Sequence, residues 1–406
     1  MSYETATSVF VIALAVAIAP LCSEVLRRWR IPSVLFELLL GILVGPAVLH
    51  WASLGQFVTG LSALGLCFLF FMAGYEIDFA KLSGHPLNRG VTGWLVSLAL
   101  GLGVGVILLI SGFVVSSLLI GLSLTTTAVG TLLPMLRDRD MLESPFGKFL
   151  IAAGTAGEFG PVVAVTVLLG AASPGTELIL LVVFVVLAVG IALVASRPQP
   201  PRMVETMQRH LGTSTQLPVR IVLLLVTGLV LVASSLSLEV LLGAFAAGLI
   251  VRIAFSREQA EAMQPRLESI GFGFLIPVFF VVSGMEFHAR ELFGNVSTLE
   301  RVPIFLGLFL VVRGLPAFVV YVRILGLRQR AALGILQSTA LPLLVVITQI
   351  GLATHHMLPV NATALVGAGM VSVLLFPLVG FAVAGKDAGP IREELLDLSD
   401  PARDFL

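Results

Sequence analysis

Apolar runs separated by short polar breaks recur along the whole chain, and thirteen of them reach about 17 to 25 residues. A helix rising about 1.5 Å per residue needs that length to cross a hydrocarbon layer about 30 Å thick. The runs are roughly 5–26, 32–50, 55–77, 90–112, 114–136, 147–171, 176–196, 219–236, 238–254, 268–286, 302–323, 329–351 and 358–384. They predict an all-α polytopic membrane protein with about 13 transmembrane helices. Two runs carry polar interruptions followed by proline, LSLTTTAVGTLLPML in the fifth and LQSTALPLL in the twelfth. Both are expected to be discontinuous, crossing helices.

The distribution of charge fixes an orientation. Every Lys and Arg except Arg290, Arg301 and Arg313 falls at the same side of the bilayer if the N-terminus is out and the C-terminus in. Moving the count by one span would scramble that partition, so the positive-inside rule supports both the number and the direction. The first run lacks a basic segment before it and is read as a span, not a cleaved signal. Composition agrees: 57% of residues are hydrophobic and 12% charged. Soluble domains carry about twice that charged fraction. Cys22 and Cys67 lie inside apolar runs and read as buried thiols. No cofactor, no transition metal, no nucleic-acid partner and no enzymatic activity are expected.

An internal repeat underlies the pattern. Gly74-Tyr75-Glu76-Ile77-Asp78 at the end of the third span matches Gly284-Met285-Glu286-Phe287-His288 at the end of the tenth, at an offset of 210. Glu37, Gly41 and Gly45 in the second span match Glu239, Gly243 and Gly248 in the ninth. Thr126-Thr127 matches Ser338-Thr339. Spans 1–6 therefore pair with 8–13. A shift of seven spans reverses direction, which predicts two inverted six-helix repeats with a shared site near the midplane.

One acidic residue stands in the middle of a span. Glu158 sits about eleven residues from either end of 147–170, between Gly154, Gly157, Gly160 and Pro161. A charge at that depth costs about 2.5–3.5 kcal/mol even on lenient scales, so it normally faces protein or water and does work. The glycines let a neighbour approach, and Pro161 frees a carbonyl one turn back. Partial desolvation raises the affinity of such a carboxylate for a proton, and a cation competes for the same oxygens. Thr125, Thr126, Thr127, Gln337, Ser338 and Thr339 would add hydroxyls and freed carbonyls suited to a hard monovalent cation. Arg313 is too deep to snorkel; it is expected either to pair with Glu158 or to offset the carbonyl ends of the broken helices. Glu37, near the inner end of the second span, is a candidate for lining an inner funnel. His355 and His356 are expected to be exposed at the outer surface.

Several segments resemble, in order, the monovalent cation–proton antiporter superfamily on its Kef-type and sodium–proton exchanger side. They are IPSVLFELLLGILVGP, FLFFMAGYEIDFAKL, LEVLLGAFAAGLIV with FLIPVFFVVSGMEFH, and VVRGLPAFVVYVR. The resemblance implies dimerisation and scaffold helices in 1–89 and 218–290 (spans 1–3 and 8–10). It implies core transport helices in 90–171 and 301–384 (spans 4–6 and 11–13). The stretch 172–217 becomes a linker helix and cytoplasmic loop, and 385–406 a short cytoplasmic tail without the Kef-type nucleotide-binding domain. It further implies homodimers in the cell membrane and exchange of protons for Na⁺ or K⁺ by alternating access. Its cation and proton ligands would be Glu158, Thr126, Thr127, Ser338 and Thr339, with Arg313 compensating charge. Members of the superfamily usually carry Asp-Asp, Asn-Asp or Gln-Asp where this chain has Gly157-Glu158. A single carboxylate makes one-for-one, electroneutral exchange the expectation. An organic anion or amphiphile anchored by Arg313 is the alternative substrate, and a channel or membrane sensor the alternative class.

Overall fold

The computed structural model describes residues 2–26, 31–76, 85–137, 139–142, 144–169, 174–196, 216–236, 238–255, 257–287 and 289–385. Several features read from the sequence lie outside these residues: Arg27, Arg28 and Arg30, Ile77 to Lys81 with Asp78, most of the 197–218 loop, His288, and the tail after Gly385.

Among the described residues every regular element is a helix. In order they are α1 (Tyr3–Val25), α2 (Ser33–Val44), α3 (Gln56–Glu76), α4 (His85–Ile110), α5 (Ser117–Leu124), α6 (Val129–Arg137) and α7 (Pro145–Leu169). They continue with α8 (Pro174–Ala195), α9 (Leu217–Ser235), α10 (Val240–Ala254), α11 (Arg257–Ile270), α12 (Ile276–Glu286) and α13 (Ala289–Gly294). The last are α14 (Val296–Phe309), α15 (Leu315–Val320), α16 (Leu327–Gln337), α17 (Pro342–Ala353) and α18 (Pro359–Ala384). Among these residues nine helical stretches are long and apolar enough to cross a membrane. A tenth span is the pair α16 and α17, bent by 44° at its break. Three further apolar helices are shorter: Ser33–Val44, Ser117–Leu133 and Val240–Ala254.

Two of the long spans contain a wider, π-helical turn, at Gly271–Leu275 between α11 and α12 and at Leu310–Gly314 between α14 and α15. The cause is legible. Pro277 and Pro316 each follow two residues later. A proline has no N–H to give, and its ring crowds the carbonyl four residues back, here Gly273 and Val312 inside each turn. The second of these turns carries Arg313.

The chain divides into two compact units. One comprises Met1–Ala19, Glu37–Asp78 and Val162–Glu286; the other comprises Pro20–Phe36, Phe79–Pro161 and Phe287–Leu406. Inside the first unit, helices meet at glycines with almost no side chain between them. A Cβ at Gly41 of α2 would stand 3.0 Å from the Gly284 Cα of α12, and one at Gly248 of α10 would stand 2.6 Å from the Tyr75 nitrogen of α3. Such small-residue seams replace a hydrophobic driving force that lipid cannot supply. In the second unit two arginines close a helix end. Arg89 donates to the Val320 carbonyl at 3.2 Å and Arg330 to the Phe318 carbonyl at 3.0 Å. A cation at a helix C-terminus offsets the negative end of its dipole.

Some boundaries differ from the sequence reading. The span expected at 268–286 begins at Ala262, and its helix at Arg257, so Arg257 and Arg266 belong to helix and not to a loop. Alternating charged and apolar residues over REQAEAMQPRLESI keep helical periodicity after the apolar run ends. Cys22 and Cys67 are free and only half-buried. His355 and His356 are exposed, as expected.

Candidate functional site

Both polar interruptions break their helices. The fifth apolar run is α5 and α6 with 125–128 between them, and the twelfth is α16 and α17 with 338–341 between them. Backbone that leaves the helix in a buried interior has N–H and C=O groups without helical partners, and each must be satisfied elsewhere. The two breaks do this through each other and through α7. The Ala128 N–H donates to the Thr339 carbonyl at 2.7 Å, joining the breaks directly. The Thr127 N–H donates to the Gly157 carbonyl at 3.0 Å. That carbonyl is available because Pro161, four residues on within α7, has no N–H to offer it.

A Pro161→Ala variant tests this division of labour. It would restore a helical donor to Gly157 at the expense of the Thr127 bond, so thermal stability should stay close to wild type. Thr127 would lose its acceptor, and the rate of any transport through this site should fall several-fold. Thermal melting and a flux assay on the same preparation would check both halves of the expectation.

Arg313 completes the junction. Its side chain is 1% exposed. Nε donates to the Thr127 hydroxyl at 2.9 Å, Nη1 to the Ser97 hydroxyl of α4 at 3.2 Å, and Nη2 to the Ala153 carbonyl of α7 at 2.9 Å. Thr127 in turn donates to the Gln337 carbonyl at 2.6 Å, at the C-terminal end of α16. The guanidinium charge therefore reaches a broken-helix carbonyl end through one hydroxyl. The Gln337 amide closes the loop by donating to the Arg313 carbonyl. These bonds tie the Arg313 side chain to the first break, to α4 and to α7.

Glu158 follows Gly157 on α7, 7% exposed. Its helix presents glycines to its neighbours. A Cβ at Gly157 would stand 2.5 Å from the Thr127 hydroxyl and 2.9 Å from the Arg313 guanidinium carbon, and one at Gly160 would overlap the Trp94 ring. The absence of a side chain at position 157 is thus what lets Arg313 and Thr127 sit against α7. Glu158 stands one residue, about 100° of helix, round from that face.

The hydroxyls are not equivalent. Thr125 and Thr126 donate to the carbonyls of Leu122 and Ser123, at 2.8 and 2.9 Å, and Ser338 donates to Gly334 at 2.7 Å. All three bond back into the turn that precedes them. Thr127 bridges to α16, and the Thr339 hydroxyl has no partner among the described residues although the residue is fully buried. Glu37 is buried at the start of α2, in a different unit from Glu158. Sequence reasoning missed Ser97 and Ser372. Each is a lone serine in an apolar helix, with no motif to mark it.

The second unit thus gathers hydroxyls, carbonyls and one carboxylate, an all-oxygen set suited to hard cations. Among the described residues no group of three or more His, Cys, Asp or Glu could hold a metal ion. The family model for the transmembrane part of the sodium/hydrogen exchanger matches residues 11–384. The chain belongs to the sodium/hydrogen exchanger family. It is accordingly a multi-pass integral membrane protein of a transporter family, not an enzyme. Two relatives show the spread of this exchanger family. The chain is 26% identical over 404 residues to the putative Na⁺/H⁺ antiporter YjbQ of Bacillus subtilis (strain 168), covering 93% of itself and 63% of YjbQ. It is 30% identical over 299 residues to the Na⁺/H⁺-K⁺ antiporter GerN of Bacillus cereus, covering 68% of itself and 71% of GerN. The exchanger fold is shared with the sodium proton antiporter MjNhaP1 of Methanocaldococcus jannaschii, at a TM-score of 0.65 and 16% identity, over 95% of this chain and all of that one.

Proposed function

We propose that the chain is a secondary antiporter that exchanges protons for a monovalent cation, Na⁺ or K⁺, across the cell membrane by alternating access. The observation that carries this reading is Glu158, buried halfway along α7 and one residue from the junction of two broken helices. Its carboxylate holds either a proton or a dehydrated cation, and Thr126, Thr127, Ser338 and Thr339 replace part of the cation's water. The loaded forms cross and the empty, ionised form does not, which couples the two fluxes. Arg313 stays in place throughout and balances the carbonyl ends. With one carboxylate per cycle the exchange is one-for-one and electroneutral.

We also propose the finer architecture. Nine long spans, one bent pair and three shorter apolar helices are consistent with thirteen crossings, N-terminus out. The inverted repeat is supported by reciprocal seams: α2 meets α12 and α10 meets α3, the same pairing read from either half. Scaffold helices 1–89 and 218–290 and core helices 90–171 and 301–384 follow that repeat, with the site on the core.

In everted vesicles acidified by respiration, Na⁺ and K⁺ are added separately while a pH-sensitive dye is followed. At least one should dequench the dye, and clamping the membrane potential should leave the rate unchanged. Absence of dequenching with every monovalent cation would overturn the assignment.

A further inference from the structure

We propose that Ser372 is a positioning residue that sets the second helix break, so that the Thr339 hydroxyl is presented to the cation. The inference rests on the antiport reading above and adds a residue from a helix that carries no ionisable chemistry in its buried half.

The break at 338–341 leaves the Ala340 N–H without a helical partner. Ser372 of α18 supplies the acceptor. The Ala340 N–H donates to the Ser372 hydroxyl oxygen at 3.1 Å, and the same hydroxyl lies 3.1 Å from the Ala340 carbonyl and 2.7 Å from the Gly369 carbonyl. Both serine and break are fully shielded, with Ser372 and Thr339 each 0% exposed. In a site that buried a hydrogen bond to the backbone of the break counts for more than it would at the surface. Gly369 permits the approach. A Cβ there would stand 2.8 Å from the Ala340 carbonyl oxygen, so α18 can lie against the break only because position 369 carries no side chain.

The neighbouring residue is held on one side only. The Thr339 carbonyl accepts from Ala128 at 2.7 Å, which fixes its backbone, while its hydroxyl has no partner among the described residues. A buried hydroxyl left unbonded is costly, a cost normally met by a ligand or water. The backbone is therefore pinned from both sides, by Ala128 at residue 339 and by Ser372 at residue 340, with an uncommitted oxygen between them.

The arrangement mirrors the first break. At the offset of 212 that aligns Thr127 with Thr339, Gly157 aligns with Gly369. Gly157 receives Thr127 through its carbonyl, freed by Pro161; Gly369 lacks that proline, and Ser372 takes over by offering a side-chain oxygen. In one half the break is held by backbone, in the other by a hydroxyl. That difference makes the second break the one a single atom can release.

The test is exchange kinetics in proteoliposomes of the full chain, with whichever cation the wild type transports. Ser372→Ala should raise the KM for the cation about tenfold and leave the maximal rate within about twofold. Because protons then compete better, the activity profile at fixed cation should move to higher pH. Thr339→Val should raise KM similarly, and the double variant should be no worse than either single one, because Ser372 acts through Thr339. Ser372→Cys, close in size and a weak acceptor, should fall between wild type and alanine and keeps the question open to measurement if the alanine variant does not assemble. An unchanged KM in Ser372→Ala or Ser372→Cys, or additive effects in the double variant, would overturn the role of Ser372 while leaving the antiporter intact. Absence of wild-type exchange would remove both readings.

Discussion

A Glu158→Gln variant should reach the membrane, fold with a melting temperature close to wild type, and exchange nothing. Glutamine keeps the volume and one carbonyl oxygen, so the packing around α7 is preserved. It cannot release a proton, and a neutral amide oxygen attracts a cation far less than a carboxylate does. If protons and cations compete for one group, both fluxes vanish together, and the residual rate should be at least a hundredfold below wild type, about 2.7 kcal/mol in the barrier. Proton flux measured with a dye and cation uptake measured with a tracer should agree. Survival of either flux at wild-type rate would show that Glu158 is a structural carboxylate. Glu158→Asp should retain exchange at reduced rate, since the carboxylate remains and is only drawn back by one methylene.

The second large effect is expected one residue earlier. In Gly157→Ala the added methyl would stand 2.5 Å from the Thr127 hydroxyl and 2.9 Å from the guanidinium carbon of Arg313. Neither neighbour can yield cheaply. Arg313 is held by three bonds within a fully buried site, and Thr127 already joins α16 to Arg313. Hydrogen bonds to charged groups each contribute about 1.5–3 kcal/mol, and a buried charge that loses them is left uncompensated. Losing even one bond should lower the melting temperature by several degrees and the exchange rate at least tenfold. Gly157→Asn, which would restore the polar first residue usual in the wider superfamily, should be worse still. Melting curves and proteoliposome flux for the two variants decide the matter. An active, stable Gly157→Asn protein would mean that the space beside residue 157 is not reserved for Arg313.

On the proposed reading these two positions form one site, with Gly157 suited to its place by its packing. From sequence, the first residue looked like a missing ligand. In the structure its bare backbone seats the arginine of another span, and its carbonyl accepts from the Thr127 N–H in the break of a third. The glycine therefore links Glu158 to both breaks without a side chain of its own.

Much of this molecule was readable from one dimension because the bilayer is a severe solvent. Apolar runs had to be helices, since no other local structure satisfies backbone groups in hydrocarbon. Interior Glu158 and Arg313, the threonine cluster and the proline-marked interruptions stood out because each is expensive there and so rarely incidental. Helix ends were less legible: α11 extends its span into a charged segment that hydropathy alone excludes. Partner choice was not legible at all. Nothing local says that Arg313 bonds to Thr127, Ser97 and Ala153, that Thr127 bridges to Gln337, or that Ser372 holds Ala340. Those bonds join residues from 30 to more than 200 positions apart. Which groups meet depends on how close glycine seams let helices approach, and only packing in three dimensions determines that distance.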